Sequence, residues 1–564
     1  MKKYQISIRI SFFFILSALM IYLFYFSIPR ELRMLNELRT IRTPAETPMQ
    51  YLYILSSFLA VTIMFVWVSA RSFWFRFLFI VFLFAPSAMI WYIAFKYNQC
   101  FSDIFALTVI ATTRNDAFGF INLQLFLFWG IFIAFFLGLA LLLPRFKINF
   151  KNFSKRKIIL ANILFFIIFI ASVKVNVYPL RSYYIAIRKL YMAKIDLLEF
   201  IPRMRILEKT EEPYFLEKPL PKDSLLLFHI GESARGDHAS INGYERNTMP
   251  KMLVEQKKGN LFSFKNAISF ATLTRTSVVG MLTPSSIKDP VIRSSSFIPF
   301  LQRNGIKLSS FFSSVDPYTT TTRLDATMNV YAATISDHYT SLDLAHSLLP
   351  TIKTFFNSHK DSENRFILYQ GEGSHIPYKT YDKEKFSVFT PVNFKANADY
   401  TTTNAYDNTI VCLDDFVYEI INMAHDKNFV YIYSSDHGDL VGDGGYWGRG
   451  SSIEDVSLYN KCMRNILFFI WVSDKFKQEE PTKFNSLKNN AARLNVISHD
   501  HLYHTVLGFY GIKNNHYDRN LDLFSPHAKP FAGPMPEKTD QSDIDILKFA
   551  KDAKDGDTVD QKDL

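Results

Sequence analysis

The sequence predicts an α-helical membrane bundle of five spans, followed by an α/β domain whose mostly parallel sheet is covered by helices on both faces. Two observations support this prediction. The first third of the 564-residue chain holds five apolar segments of about 20 residues, where many of the 55 Phe are found. After about Pro221, short apolar runs alternate with helical stretches, and Asp, His, Gly and Asn become frequent. The chain therefore has two parts that meet different solvents.

The apolar segments define residues 1–177 as a transmembrane domain, and they lie at 10–28, 49–70, 77–95, 118–143 and 158–177. The first has no small-residue cleavage site, so we expect it to be retained as a helix. Basic residues cluster before the first span, between the second and third, and between the fourth and fifth. With five spans these clusters share one side, which the positive-inside rule makes cytoplasmic. Residues after about Tyr178 are expected outside.

The formal net charge of +11 does not indicate nucleic acid as a partner, because much of the excess flanks the apolar segments. Three cysteines could form one bridge at most, so the fold cannot depend on a disulfide framework. We expect a monomer.

Three further segments follow the membrane domain. Residues 178–220 mix basic and aromatic residues, which is typical of amphipathic helices at the membrane surface or of a packed linker helix. Residues 221–535 form the α/β domain. Residues 536–564 are charged and poor in aromatic residues, which predicts a flexible tail.

Polar clusters follow three of the predicted strands. Glu232 comes after the strand at 224–230, His375 after 366–370, and Asp436 with His437 after 429–433. The carboxyl ends of parallel strands are where open α/β sheets collect ligands. Taken alone, Asp436-His437-Gly438 is equally consistent with a surface turn and with a metal site.

Carboxylates and an imidazole suit zinc, which in catalytic sites keeps a position open for a nucleophile or substrate. Thr274 lies in the hydroxyl-rich stretch 271–280, after a strand predicted at 262–270. The stretch is expected to open a helix, whose amino end favours a phosphate. The alternative is an ordinary Ser/Thr helix cap. Strand 466–472 and a helix starting near Ser498 complete the domain.

Motifs along nearly the whole chain resemble those of the membrane-bound phosphoethanolamine transferases of the alkaline-phosphatase and sulfatase superfamily. The motifs are Glu232-Ser-Ala-Arg235 with His238, Gly243-Tyr244-x-Arg246-x-Thr248-x-Pro250, Thr274-x-x-Ser277, Gly373-Ser-His375-x-Pro377, Asn404-x-Tyr406-Asp407-Asn408, Ser435-Asp436-His437-Gly438 and His499-Asp500-x-x-x-His504-Thr505. The first and the Asp-His-Gly motif are specific when they occur together.

The resemblance implies a sulfatase-like α/β domain in the periplasm of an inner-membrane, multi-pass protein. It implies phosphatidylethanolamine as the donor, lipid A or a lipopolysaccharide core sugar as the acceptor, and a phosphoethanolamine-threonine intermediate. Glu232, Thr274, Asp436 and His437 match the zinc ligands, with Thr274 as the nucleophile. His375 matches a histidine near the substrate phosphate or a second zinc, and Arg449 and Asn408 are further candidates for substrate binding.

Four positions depart from the lipid A-modifying members of that family. Phe270 and Gly280 stand where those members have a cysteine pair. Arg449 and Gln370 stand where they have histidines. One zinc is therefore expected and a second is uncertain.

Four alternatives remain for the function. A transferase of glycerol phosphate is distinguished only weakly by the motifs, and a phosphodiesterase shares the scaffold. A sulfatase needs a modified Cys or Ser in a C/S-x-P-x-R context, which does not surround Thr274. A non-catalytic membrane protein is disfavoured because Glu232, Thr274, Asp436 and His437 are all present.

Overall fold

The computed structural model describes most of the α/β domain and much of the helical region. The described residues are 2–23, 47–97, 123–146, 202–209, 215–216, 223–313, 337–341, 345–357, 363–371, 373–376, 378–390, 402–448, 456–533 and 548–549, with isolated positions between 156 and 167. The chain divides into two compact units, Met1–Leu107 with Phe120–Met192, and Thr108–Gly119 with Ala193–Leu564. The described residues of the first unit all lie before the predicted boundary at 177, and those of the second unit lie after it.

The first unit is a bundle of apolar helices. Its helices are α1 (Lys2–Ile21), α2 (Thr47–Ser69), α3 (Phe73–Tyr97) and α4 (Leu123–Leu142). Helix α1 packs on α2, and α3 on α4, around a core rich in Phe, Leu and Val. Four of the five predicted spans are thus helical, and the fifth falls largely outside the described residues.

One stretch among the described residues, Gln124–Arg145, is long and apolar enough to cross a membrane. The other apolar helical stretches are shorter, at Ser11–Ile21, Leu55–Ser69 and Phe73–Met89. Five membrane crossings therefore stay a prediction.

Asn162 and Phe165, from the predicted fifth span, pack against the end of α2. The Phe165 ring stacks on Trp67 with 4.1 Å between ring centroids. Asn162 Oδ1 accepts hydrogen bonds from Trp67 Nε1 at 2.9 Å and from Arg71 Nη2 at 2.8 Å. The start of the predicted fifth span therefore belongs to the same bundle as α2.

The second unit is an α/β domain. Its strands are β1 (Phe215–Leu216), β2 (Leu225–Gly231), β3 (Leu261–Ser263), β4 (Ala267–Ile268), β5 (Val291–Ile292), β6 (Lys307–Ser313), β7 (Asp337–Ser341), β8 (Arg365–Gln370), β9 (Phe429–Ser435), β10 (Leu440–Val441), β11 (Trp447–Gly448), β12 (Asn465–Ile466), β13 (Phe468–Val472), β14 (Ile497–Ser498), β15 (Ile512–Lys513) and β16 (Lys548–Phe549). Its helices are α5 (Pro250–Lys257), α6 (Thr274–Leu282), α7 (Ile298–Arg303), α8 (Leu349–Asn357), α9 (Thr403–Met423), α10 (Val456–Met463), α11 (Asp474–Glu479), α12 (Pro481–Arg493) and α13 (Asp500–Tyr510).

A mixed seven-stranded sheet in the order β3-β13-β9-β2-β8-β6-β7 forms the centre of this domain. The five strands from β9 to β7 are parallel, and β13 runs antiparallel to both of its neighbours. The prediction of a mostly parallel sheet is confirmed for this central part. The antiparallel edge was not predicted.

Both faces of the sheet are buried, as the near-continuous apolar strands indicate. In β2, Leu226, Phe228 and Ile230 belong to one apolar core, and Leu225 and Leu227 belong to the other. Helices α6 and α13 contribute to the first core, and α8 and α9 to the second. The helices therefore cover the sheet on both sides.

The prediction of one strand over residues 262–270 is wrong. The segment forms two short strands in different sheets, β3 at the edge of the central sheet and β4 between β12 and β14 in a three-stranded sheet. The chain leaves the central sheet after Ser263, and β4 leads towards the start of α6. This second sheet is what positions the hydroxyl-rich stretch.

Two ends of the domain differ from the sequence expectations. In the helix at 202–209, Met204 and Leu207 are buried in the core of the α/β domain. Of the two alternatives for the segment 178–220, the packed linker helix therefore describes this part. In the segment predicted as a flexible tail, β16 pairs in parallel with β5. The tail therefore has an ordered contact with the domain.

Asp522 is a buried carboxyl group behind the sheet. Its Oδ1 accepts the Phe524 N–H at 2.8 Å, and its Oδ2 accepts the Tyr517 hydroxyl at 2.7 Å. It also packs on Gly508 of α13, where an added Cβ would lie 2.0 Å from Oδ2. Burial raises the pKa of Asp522 from 3.8 to about 7.

The raised pKa of Asp522 predicts a pH-dependent stability. Between about pH 4 and pH 7 the folded protein keeps a proton on Asp522 that the unfolded chain has lost. The free energy of unfolding of the wild type should therefore be highest, as far as Asp522 decides it, below about pH 4 and should fall as the pH rises to 7. Asp522→Asn removes the titration, so its stabilisation relative to the wild type should grow over this window, towards a limit on the order of 4 kcal/mol. Thermal unfolding of both proteins from pH 4 to 8 measures it.

Asp426→Asn provides the matched control, since Asp426 is exposed. It should leave the unfolding temperature nearly unchanged at every pH. Parallel pH curves for the wild type and Asp522→Asn would show that Asp522 does not titrate as the burial argument requires.

Candidate active site

Strands β2 and β9 bring two carboxylates to the same edge of the sheet. The strands are parallel neighbours in a register that sets Gly231 opposite Ser435, so Glu232 and Asp436 both lie one residue beyond the strand ends. The Asp436 N–H continues the ladder by donating to Gly231 O at 2.9 Å. Glu232 and Asp436 therefore follow neighbouring strands at one edge of the sheet.

Glu232, Asp436 and His437 form a group that could hold a metal ion, with one ligand atom from each and all three atoms within 4.8 Å of one another. His437 Nε2 lies 3.3 Å from Asp436 Oδ2 and 3.5 Å from Glu232 Oε1. Asp436 and His437 are fully buried, and Glu232 is 8% exposed.

The tautomer of His437 shows why a cation fits this group. His437 Nδ1 lies 2.6 Å from Gly438 O. A carbonyl oxygen only accepts, so Nδ1 carries a hydrogen, and Nε2 is the ring nitrogen that faces the two carboxylates, with a lone pair when the ring is neutral. Three electron-rich atoms in one buried space repel one another unless a cation or a proton lies between them. The donor set of two carboxylate oxygens and one imidazole nitrogen suits zinc.

Ser233 orients both carboxylates. Its N–H donates to Asp436 Oδ1 at 2.9 Å, and its hydroxyl donates to Glu232 Oε1 at 2.8 Å. The His437 N–H donates to the same Asp436 Oδ1 at 2.7 Å, which leaves Oδ2 facing the imidazole. Ser233 has a φ of 57°, a left-handed conformation that non-glycine residues adopt rarely and at some cost in energy.

Tyr406 of α9 holds this strained turn. Its hydroxyl donates to Ser233 O at 2.7 Å and accepts the Arg235 N–H at 2.8 Å. The Ala234 N–H between them donates to Ser435 Oγ at 2.7 Å. The turn is therefore fixed by α9 on one side and by the end of β9 on the other.

Thr274 is the first residue of α6, and its hydroxyl lies at the same site. Its Oγ1 donates to Glu232 Oε2 at 3.0 Å and lies 3.4 Å from His437 Nε2. The side chain is 4% exposed. The amino end of α6 adds the positive end of its dipole beside this oxygen. The four residues that the sequence analysis placed together therefore do lie together.

Phe270 and Gly280 are in direct contact on either side of Thr274. A Cβ added at Gly280 would lie 2.2 Å from the Phe270 ring, so only glycine fits beneath it. Two further bonds join the same loop, from Ser277 Oγ to Ala271 O at 3.0 Å and between the hydroxyls of Thr272 and Tyr459 at 2.7 Å. Close packing ties the loop to α6 at the two positions where the resemblance implies a cysteine pair.

His375 lies in a loop that is bound to the backbone of Glu232. The Ser374 N–H donates to Glu232 O at 2.9 Å, and a Cβ at Gly373 would lie 3.1 Å from that oxygen. His375 Nδ1 donates to Ile376 O at 2.5 Å, and the ring is partly exposed. The residue is close in sequence to the contact with the site, and its role stays a prediction.

The two other candidates for substrate binding differ in what can be said of them. Both polar atoms of the Asn408 amide bind the backbone of Phe389, at 2.9 and 3.1 Å, so the amide holds that loop. Arg449 lies outside the described residues.

Several residues at or near the site carried no role in the sequence analysis. The hydroxyl of Tyr433 lies over Gly231, where a Cβ would be 2.0 Å from it, and burial with Asp436 and Glu232 nearby raises the pKa of Tyr433 well above its usual range. His238, Tyr244 and Arg246 all bind the buried carboxylate of Asp407, at 2.7, 3.0 and 2.8 Å. These three residues belong to sequence motifs, but only the fold shows that they converge on one carboxylate.

Comparisons with known proteins agree with this geometry. Residues 224–512 match the family model described as Sulfatase. Phosphoethanolamine transferase EptA of Helicobacter pylori is 27% identical over 451 residues, which cover 75% of this chain and 80% of the relative. Phosphatidylethanolamine transferase Mcr-1 of Escherichia coli is 26% identical over 362 residues, which cover 59% of this chain and 63% of the relative. The match thus spans less than two thirds of Mcr-1.

A solved structure shares the fold over most of the chain. It is the integral membrane protein lipooligosaccharide phosphoethanolamine transferase A of Neisseria meningitidis, with a TM-score of 0.61 and 19% identity, covering 91% of this chain and 98% of that one. At this identity the likeness concerns the fold. The family model alone spans just over half of the chain, from β2 to β15, and includes every residue of the buried donor group and Thr274. The chain belongs to the sulfatase family.

Proposed function

We propose that this protein transfers phosphoethanolamine from phosphatidylethanolamine to an acceptor of the bacterial envelope, either lipid A or a lipopolysaccharide core sugar. The observation that carries the proposal is the position of the Thr274 hydroxyl, which begins a helix and lies against Glu232 and His437. The names of the relatives describe transferases of phosphoethanolamine or phosphatidylethanolamine. The chemistry of the site and these names support the same reaction.

Glu232, Asp436, His437 and Thr274 would hold one Zn²⁺. When bound, zinc lowers the pKa of an adjacent hydroxyl and neutralises charge on a phosphoryl group. We do not include a second zinc in the proposal, because Gln370 and Arg449 are weaker candidates for ligands than histidine.

Thr274 is the nucleophile of the first displacement. Its Oγ1 forms a bond to the phosphorus of the donor, and the bond from phosphorus to the glycerol oxygen breaks. The Thr274 proton has an acceptor in Glu232 Oε2 at 3.0 Å, and the departing diacylglycerol oxygen takes up a proton. The amino end of α6 stabilises the negative charge of the phosphoryl oxygens. Phosphoethanolamine is left on Thr274.

The second displacement transfers the group to the acceptor. An acceptor hydroxyl gives its proton to a base, for which His375 is the candidate, and forms a bond to phosphorus while the bond to Thr274 Oγ1 breaks. Thr274 regains its proton. Two in-line displacements give retention of configuration at phosphorus and ping-pong kinetics.

We further propose that the protein crosses the inner membrane five times and carries its catalytic domain in the periplasm. The apolar helices of the first unit and the distribution of basic residues support this arrangement. Membrane lipids would surround the first unit and supply the donor.

The nucleophile can be tested by intact-mass analysis of the full-length protein after incubation with phosphatidylethanolamine alone. We expect one phosphoethanolamine adduct, mapping to the peptide that contains Thr274. Thr274→Ala should form none and lose transfer by more than about a thousandfold, and Thr274→Ser should retain part of it. An adduct on Thr272 or Thr276 would move the nucleophile, and full activity of Thr274→Ala would overturn the mechanism.

The same measurement separates the alternatives for the donor. Incubation with phosphatidylglycerol should leave the protein unmodified if the headgroup is ethanolamine. A glycerol phosphate adduct formed faster than the phosphoethanolamine adduct would favour the glycerol phosphate transferase.

The metal assignment predicts about one equivalent of zinc in protein purified with the metal supplied. Asp436→Asn keeps an oxygen for the Ser233 and His437 N–H groups but removes the charged ligand, so zinc affinity should fall by more than about a hundredfold. Elemental analysis after dialysis measures it, with the exposed Asp426→Asn as the control. Equal zinc in all three proteins would contradict the proposed site.

The topology predicts which side of the membrane each unit exposes. With Cys100 replaced by Ser, a cysteine at the exposed Lys257 should react with an impermeant maleimide in intact spheroplasts. A cysteine at the exposed Arg145 should react only after lysis. The reverse pattern would place the α/β domain in the cytoplasm.

A further inference from the structure

His499 is a buried histidine that belongs to one of the sequence motifs and takes no part in the proposed chemistry. It directly precedes α13, and its N–H donates to Ile268 O, the last residue of β4, at 3.1 Å. Residues 269–273 then lead from β4 to Thr274, and we call them the nucleophile loop. His499 is therefore held by its backbone at the start of this loop.

The imidazole of His499 joins the nucleophile loop to the end of β9. Its Nδ1 accepts the Phe270 N–H at 3.0 Å, and its Nε2 lies 2.9 Å from Ser435 O. An N–H only donates and a carbonyl oxygen only accepts, so Nδ1 carries the lone pair and Nε2 carries the hydrogen. The contacts thus require one neutral tautomer.

The surroundings of His499 are consistent with that tautomer. The side chain is fully buried, and burial lowers its pKa to about 3. The ring therefore stays neutral at every pH at which the protein is expected to work. It provides one donor and one acceptor at a fixed separation on a rigid ring.

The two atoms that the ring joins belong to the two halves of the site. Ser435 directly precedes Asp436 and His437, and Phe270 lies four residues before Thr274. We propose that His499 is a positioning residue, which sets the distance between Thr274 and the ligand residues Asp436 and His437 without touching the substrate. The proposal rests on the function proposed above. The role concerns the rate of reaction at Thr274 and not the stability of the fold.

Backbone bonds provide a second, parallel connection, which limits the expected effect. The Ser269 N–H donates to Arg464 O at 3.0 Å, and the Gly438 N–H donates to Met463 O at 2.9 Å. The Arg464 guanidinium also donates to Ser269 O and Phe270 O. The nucleophile loop therefore stays attached when the imidazole is lost, and what changes is its exact distance from the ligands. A misplacement of about 1 Å costs roughly a hundredfold in rate, so a smaller displacement predicts a loss of about tenfold.

The test is the rate of adduct formation on Thr274 in the full-length protein, measured at several concentrations of phosphatidylethanolamine in mixed micelles. His499→Phe keeps a ring of similar size and removes both hydrogen bonds. We expect the maximal rate to fall about tenfold with the KM for the donor unchanged, because His499 does not contact the donor. His499→Gln has one donor and one acceptor and should recover most of the rate.

His501→Phe is the matched control. His501 lies two residues further along, is equally buried, and binds Ser498 and Lys529 O, neither of which belongs to the nucleophile loop. It should change the rate by less than about twofold even if it lowers the unfolding temperature as much as His499→Phe does. Zinc content, measured on every variant, should match the wild type because all ligands are retained.

Three results would overturn the proposal: a folded His499→Phe as fast as His501→Phe, a Gln variant as slow as the Phe variant, or a loss confined to KM. If His499→Phe does not fold, His499→Asn replaces it, since its shorter amide reaches one of the two partners and should lower the maximal rate relative to Gln. A wild-type protein that forms no adduct would overturn the proposed function itself, whereas a wild-type adduct with insensitive variants would overturn only the role of His499.

Discussion

The close approach of two buried carboxylates and an imidazole nitrogen is the constraint on which the site depends. Glu232, Asp436 and His437 are buried side by side, and their ligand atoms lie within 4.8 Å of one another. Such an arrangement is unfavourable until a cation or a proton lies between the three atoms. The fold must therefore hold the atoms together against their own repulsion, and much of the surrounding hydrogen bonding does this.

Backbone N–H groups and a tyrosine hydroxyl provide this support. Asp436 Oδ1 accepts two backbone N–H groups, and the turn that provides one of them contains Ser233 at a positive φ. Tyr406 binds both ends of this turn through one hydroxyl. Strain of this kind persists only where surrounding contacts fix it, and here they come from α9 and β9. These contacts fix the backbone that carries Glu232 and Asp436.

Thr274 is brought to the site by a separate part of the fold. Thr274 follows a short three-stranded sheet that is not part of the central sheet, so its position depends on how the two sheets are joined. Phe270 packed on Gly280 ties the loop to α6, and His499 and the backbone of Arg464 tie it to other segments. Apolar packing and hydrogen bonds hold the loop here, and Phe270 and Gly280 stand at the positions where the resemblance implies a cysteine pair.

The sequence by itself determined the class of the domain and the identity of the four central residues. Apolar runs that end in Glu232 and in Asp436-His437 indicate parallel strands with ligands at one edge, because the periodicity of a strand and the position of its polar end are local properties. Composition is also a local property, and it separates the apolar helical segments from the α/β domain.

Only the tertiary structure decided what depends on contacts between distant segments. Three features depend on contacts with partners far apart in sequence: the antiparallel pairing of β13, the division of 262–270 between two sheets, and the burial of Met204 in the core of the α/β domain. The tautomers of His437 and His499 follow from carbonyl oxygens that no sequence pattern identifies. Local patterns name the residues that carry chemistry, whereas their protonation, distances and supports are set by packing.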